Sequence, residues 1–247
     1  LHRGVYGDRH PLMADNLINL GAVESERGNY SSAESYYRRA LGIDEAWYGG
    51  EHPETASTLS MLGRSLVMQK RFDEAGPLLE RSLAIQERVY GPEHPKVANI
   101  LNELASTALQ RGRLDEAEKL FQRVTEIYSK AYGDRHYRVA LAISNSASVY
   151  LNRKDYARAE AMYREAIERY RQVLPPGHAY IAIAEIKLGR ALVAEKRYAE
   201  AEQHTLAGYR ELSKQANASV TWLQSARKDL VAIYDALGQP AKAAGYR

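Results

Sequence analysis

Tyr6-Gly7-Asp8-Arg9-His10-Pro11 returns 42 residues later as YGGEHP from Tyr48, then as YGPEHP from Tyr90 and YGDRHY from Tyr132. A worn copy, LPPGHA from Leu174, keeps the same step. A fixed period of this length means that one structural unit is being copied, and 247 residues hold about 5.9 such units. Units of this kind bury their apolar faces against their neighbours instead of around one centre. The period therefore decides the architecture before any single residue does.

Each unit carries two helical stretches. In the first, Ala14, Leu17, Leu20 and Gly21 fall at spacings of three and four residues, as do Ala56, Leu59, Leu62 and Gly63, and Ala98, Leu101, Leu104 and Ala105. Those spacings place them on one helical face. The His-Pro before each stretch suits a helix start, where proline gives up no needed hydrogen bond. The second stretch follows a tight turn such as Gly28-Asn29-Tyr30 or Lys70-Arg71-Phe72, with Ala33 and Tyr37, or Ala75 and Leu79, on its inner stripe. It ends near the Tyr-Gly, where glycine offers a left-handed stop. Trp47, at the position of Val89 and Val173, reads as packing.

Leu17-x-x-Leu20-Gly21 followed by Gly28-x-Tyr30-x-x-Ala33-x-x-x-Tyr37-x-x-Ala40 resembles the tetratricopeptide repeat. That repeat usually spans 34 residues. The 42-residue form with YGxxHPxxAxxLxxL resembles its kinesin light chain subtype, which also occurs in bacterial proteins. The resemblance implies an all-α, right-handed superhelical solenoid of antiparallel helix pairs that acts as a noncatalytic protein-interaction scaffold. The last unit drops the phrase for Gln215-Ala216-Asn217-Ala218-Ser219 but keeps register, Leu188 mapping to Leu230 and Ala201 to Ala243. Its closing segment, Leu230 to Arg247, resembles the end of repeat arrays in bacterial serine/threonine protein kinases. The expected organisation is a preceding unit's tail over 1–7, repeats over 8–49, 50–91, 92–133, 134–175 and 176–214, and an atypical closing unit over 215–247.

Composition narrows the function. The net charge is only +3, and basic residues alternate with acidic ones instead of forming a block, which argues against nucleic acid. With no cysteine there is no thiolate chemistry and no disulfide. No apolar run nears the ~18 residues of a membrane span and no signal peptide is visible, so a cytoplasmic location without membrane contact is expected. The repeated histidines, His10, His52, His94, His136 and His178, sit one per unit, at least a helix-packing distance of ~8–10 Å apart. Zinc needs its ligands at ~2 Å, so these histidines read as helix-start residues. No catalytic or phosphate-binding motif appears. The expectation is no enzyme and no cofactor in this chain.

The binding surface is sought on first helices, where one stripe varies while the packing stripe stays fixed. Its polar members are Ser60 and Arg64, Asn99, Asn102 and Ser106, then Ser144 and Ser148, and Arg190, flanked by Asn145 and Lys187; Asn152 is counted with them as a groove residue. Asparagine can meet both the donors and acceptors of an extended backbone, and arginine can grip a carboxylate with two bonds. The expected partner is a protein or peptide, acidic in character. The family resemblance supplies the concave groove in which it would lie. Chaperone-binding relatives use a clamp of lysines, asparagines and arginine. Here Asn145 and Arg190 match but both lysine positions are lost, so a chaperone tail is not expected. Tyr180 and Trp222 stand out as a second contact patch near the C-terminus. Self-association as a homodimer and sensing of a signalling peptide or small ligand are the alternatives.

Overall fold

The computed structural model describes residues 10–215 and 218–247. The expected helix tail over 1–7, the first Tyr-Gly, Ala216 and Asn217 lie outside the described residues. The described residues form twelve helices and no strand. They divide into two compact units, one ending at Arg113 and the other running from Leu114 to Arg247.

The first unit contains α1 (Pro11–Glu26), α2 (Tyr30–Tyr48), α3 (Pro53–Met68), α4 (Phe72–Tyr90) and α5 (Pro95–Gln110). Each helix packs on the next in sequence, and α3 also touches α5. The second unit contains α6 (Leu114–Tyr132), α7 (Tyr137–Asn152), α8 (Tyr156–Val173), α9 (Ala179–Ala194), α10 (Tyr198–Ser213), α11 (Val220–Ala236) and α12 (Pro240–Ala244). There too neighbours pack in order, with α7 touching α9 and α9 touching α11. The contacts skipping one helix put first helices side by side within each unit. This is an all-α solenoid of helix hairpins.

The stripes read from the sequence become the cores, except at Leu20, which was expected on the packed face of α1 and is exposed. Leu59, Leu62, Leu66 and Leu79 are fully buried in the first unit, and Tyr163, Tyr170, Leu188 and Leu230 in the second. Gly63 lets α4 come close: a Cβ there would stand 2.7 Å from Leu79 Cγ. Trp47 departs from expectation. It is 58% exposed, and its ring leans on His10 at 5.2 Å. Val89 and Val173, at the same repeat position, are exposed as well, so the position lies outside the packed stripe.

The recurring phrase is a helix-start device. His10, His52, His94, His136 and His178 are all N-caps, each imidazole Nδ1 accepting the backbone N–H two residues on at 3.1–3.3 Å. That bond satisfies one of the first-turn donors that a helix cannot pair internally. The phrase's tyrosine stacks on its histidine, with centroids 4.5 Å apart for Tyr48–His52, 4.7 Å for Tyr90–His94 and 4.5 Å for Tyr132–His136. The glycine between them ends the preceding helix at positive φ, as expected, but its ψ is extended: 87° and 162° at Gly49, 84° and 157° at Gly91. That region is open essentially to glycine alone, and it differs from the left-handed helical stop read from the sequence. Replacing His94 by alanine is expected to cost about 1 kcal/mol of stability, and asparagine should restore most of it. Urea unfolding of both variants checks this; equal losses would mean that the ring stack, not the cap, carries the effect.

Candidate functional site

In the first unit, the face of α3 and α5 carries the residues singled out from the sequence. Ser60, Asn102 and Ser106 are half-buried, and Arg64 and Asn99 are exposed. The Ser106 hydroxyl donates to its own helix at Asn102 O, 2.8 Å away. Ser60 and Arg64 make no hydrogen bond or ion pair among the described residues. Arg64 does attract the Glu103 carboxyl on α5, whose pKa burial raises against that pull. The arginine fork is therefore available to an outside carboxylate.

In the second unit the residues fall into two groups. Ser144 is buried in the helix-packing face of α7, between Ile143 and Asn145, and is not on the open surface. The Ser148 hydroxyl lies 2.9 Å from the buried Tyr163 hydroxyl, and exposed Asn152 donates back to Ser148 O. These three support or decorate α7. Asn145, Lys187 and Arg190 come together with Trp222 and Asp229 to form a cluster built by α7, α9 and α11. Asn145, Lys187 and Asp229 stand 42 residues apart, so they are one repeat position seen in three successive first helices.

Within that cluster, Lys187 Nζ donates to Asn145 Oδ1 at 2.9 Å. Arg190 Nε donates to Asp229 Oδ2 at 2.6 Å, and its Nη2 to the Ser225 hydroxyl. Both cations lie over the Trp222 ring, Lys187 at 5.7 Å and Arg190 at 5.3 Å from a ring centroid. Such stacking favours a cation moderately and fixes the ring. Trp222 rests in turn on the core of Ala182, Ile186, Leu212 and Ala226. Burial, with Arg190 close by, brings the Lys187 pKa down to about 8. Burial also raises the Asp229 carboxyl, and Arg190 counters that.

Two expectations change on this geometry. Arg190 was expected to grip a partner's carboxylate, but its fork is occupied by Asp229 and Ser225. Tyr180 and Trp222 were read as one patch, yet their surroundings differ: Tyr180 stacks with Tyr137 and Tyr170, each at 5.8 Å. Trp222 belongs with Lys187. Asp229 and Ser225 were missed by the sequence reading, although Asp229 holds the repeat position of Asn145 and Lys187, so the period itself could have found it.

The helix hairpins, their glycine-tightened packing and the polar faces of the first helices define a helical-repeat scaffold. A model of the tetratricopeptide repeat matches residues 1–46, 54–130, 97–172 and 138–209. The chain belongs to the tetratricopeptide repeat family, whose members typically serve as protein–protein interaction scaffolds. No curated protein matches the sequence. Among solved structures it is similar to the nearly identical TPR-like repeats of a Podosopora anserina protein assigned to the kinesin light chains, at 22% identity and a TM-score of 0.61 over 83% of this chain and 97% of that one. It is also similar to BtubC (BKLC) from P. vanneervenii, at 19% identity and 0.64 over 91% and 88%. PilW, a type IV pilus biogenesis factor, matches at 16% identity and 0.60 over 95% and 90%. At these identities the likenesses establish the fold. Among the described residues no helix is long and apolar enough to cross a membrane.

Proposed function

We propose that the chain is a noncatalytic scaffold whose first-helix faces bind an extended or short helical protein segment carrying acidic residues. The observation that carries this reading is the chemistry of those faces. Most apolar residues of α3, α5, α7 and α9 lie in the cores, Met61 and Met68 of α3 being exposed, while Arg64 and Asn99 are exposed and Asn102, Asn145 and Lys187 half-buried on the other side. Amide groups can pair with a peptide backbone, and the cations suit carboxylates. A helical face preformed by its own packing leaves the ordering cost of binding to the peptide. In a larger multidomain protein, such a scaffold would bring substrates or regulators to the other domains.

The test is selection of a displayed random twelve-residue peptide library on the wild-type chain. Selected peptides should be enriched in Asp and Glu, and each should bind at least tenfold more weakly either to Arg64→Glu/Asn102→Ala in the first unit or to Asn145→Ala in the second, with helicity unchanged. Peptides that bind all three proteins equally would place recognition elsewhere. A second reading, self-association, draws on α1, where Leu20 and Val23 are each 48% exposed although Leu62, in the position of Leu20, is buried. A mass that rises with concentration and falls back in Leu20→Lys would support it.

A further inference from the structure

The charges in the α7–α9–α11 cluster do not balance. Lys187 and Arg190 contribute two positive charges and Asp229 one negative, and Asp229 is held by Arg190 at 2.6 Å. Lys187 has no carboxylate partner among the described residues; its one hydrogen bond goes to the neutral Asn145 amide at 2.9 Å. An ammonium group has three donors, so two remain. Withdrawing an ammonium from water without a counter-charge is unfavourable, as the lowered Lys187 pKa also indicates. Folds keep such a locally unfavourable group mainly where it serves function.

The surroundings specify what would relieve it. Asn145 turns its carbonyl oxygen to the ammonium and fixes its direction. Trp222 forms one wall, packed against the core that includes Ile186 and Ala226, with the Arg190 guanidinium 5.3 Å from its ring centroid. Arg190 cannot swing to the ligand without abandoning Asp229 and Ser225. A ligand here meets a single point charge beside an aromatic face, not the two-cation fork that suits a chain terminus.

We infer that Lys187 is the receptor for one Asp or Glu side chain within the bound segment, seated between Asn145 and Trp222, while Arg190 is a positioning residue that holds Trp222 against α9. The inference rests on the proposed peptide-binding role of the first-helix faces. It shifts the charge recognition of this cluster from the arginine to the lysine.

The probes are three blocked peptides: acetyl-Ala-Glu-Ala-amide, its glutamine counterpart, and acetyl-Ala-Ala-Ala with a free C-terminal carboxylate. Titration into the labelled chain is followed by NMR at the Trp222 indole N–H and the α7 and α9 amides. The glutamate peptide should shift Trp222 saturably, with the glutamine peptide and the terminal acid at least tenfold weaker. Lys187→Met should abolish the response. Asn145→Asp, which supplies a carboxylate in place, should abolish it too while leaving the helices intact. A response that survives in either variant, or equal binding of glutamine or of the terminal acid, overturns the inference. Equal shifts by glutamate and glutamine confined to α7 and α9 would leave the first-helix reading standing without the lysine receptor. Shifts confined to second helices would sink both.

Discussion

Gly208→Ala should destabilise the second unit by about 3 kcal/mol, the upper part of the range for forced overpacking. Gly208 is buried in α10 where that helix crosses α9. A Cβ there would intrude on the Ala182 carbonyl oxygen and lie 2.8 Å from Ile186 Cγ1. The obstacle is backbone, so no rotamer change removes it and the two helices must separate. Ser82 shows how the corresponding position is solved in the first unit, its hydroxyl donating to Ala56 O at 2.6 Å. Hydrogen exchange of the α9 and α10 amides should speed up about 100-fold, since each 1.4 kcal/mol is a factor of ten. Gly42→Ala is the control: nothing lies within 4 Å of its Cβ position in α2, so it should gain up to about 1 kcal/mol. Equal behaviour of the two variants would mean that α9 and α10 are not in close contact.

Lys187→Met should raise stability at neutral pH by about 2 kcal/mol, the linkage value discounted because the side chain is only half-buried. Its pKa falls from an ordinary 10.5 to about 8 on folding. Below about pH 8 the lysine is charged in both states and the burial penalty is fully present. Between about 8 and 10 the unfolded chain holds more protons at this site, so wild-type stability rises with pH. The tyrosines oppose this at higher pH. Tyr163 and Tyr234 are pushed up to about 12, and Tyr170 is raised as well, all chiefly by burial. Their contribution is present below tyrosine's ordinary value near 10 and is lost as pH rises through the folded values. The wild type should therefore gain stability from pH 8 to 10 and lose it beyond, whereas Lys187→Met should lack the rise. Urea midpoints across that range decide the matter; parallel curves for the two proteins would show that Lys187 is not desolvated.

The sequence made the helices legible because their packing repeats. The apolar residues of α3 and α4 recur at fixed offsets in later units, and a pattern repeated in register cannot be local accident. The histidines were legible as helix starts for the same reason, although only the structure shows Nδ1 capping and the tyrosine stack. Outward-facing polar residues were harder, since their partners lie about one unit away in the chain. Arg190 meets Asp229 across 39 residues, and no spacing rule announces that pair. Ser144 was misplaced because the buried face of α7 is broad, including Val139, Ala140, Ile143 and Ala147, and overruns the stripe drawn beside it. Trp47 reads as packing because valines hold its repeat position, but that position, near the end of α2, is itself exposed at Val89 and Val173.

On the proposed reading, first helices, not second helices, receive the partner. The direct test is hydrogen exchange by mass spectrometry of the intact chain, free and saturated with an acidic peptide selected on it. Protection confined to first helices, either α3 and α5 of the first unit or α7, α9 and α11 of the second, is the expected result. Protection confined to α2, α4, α6, α8 and α10 would contradict it.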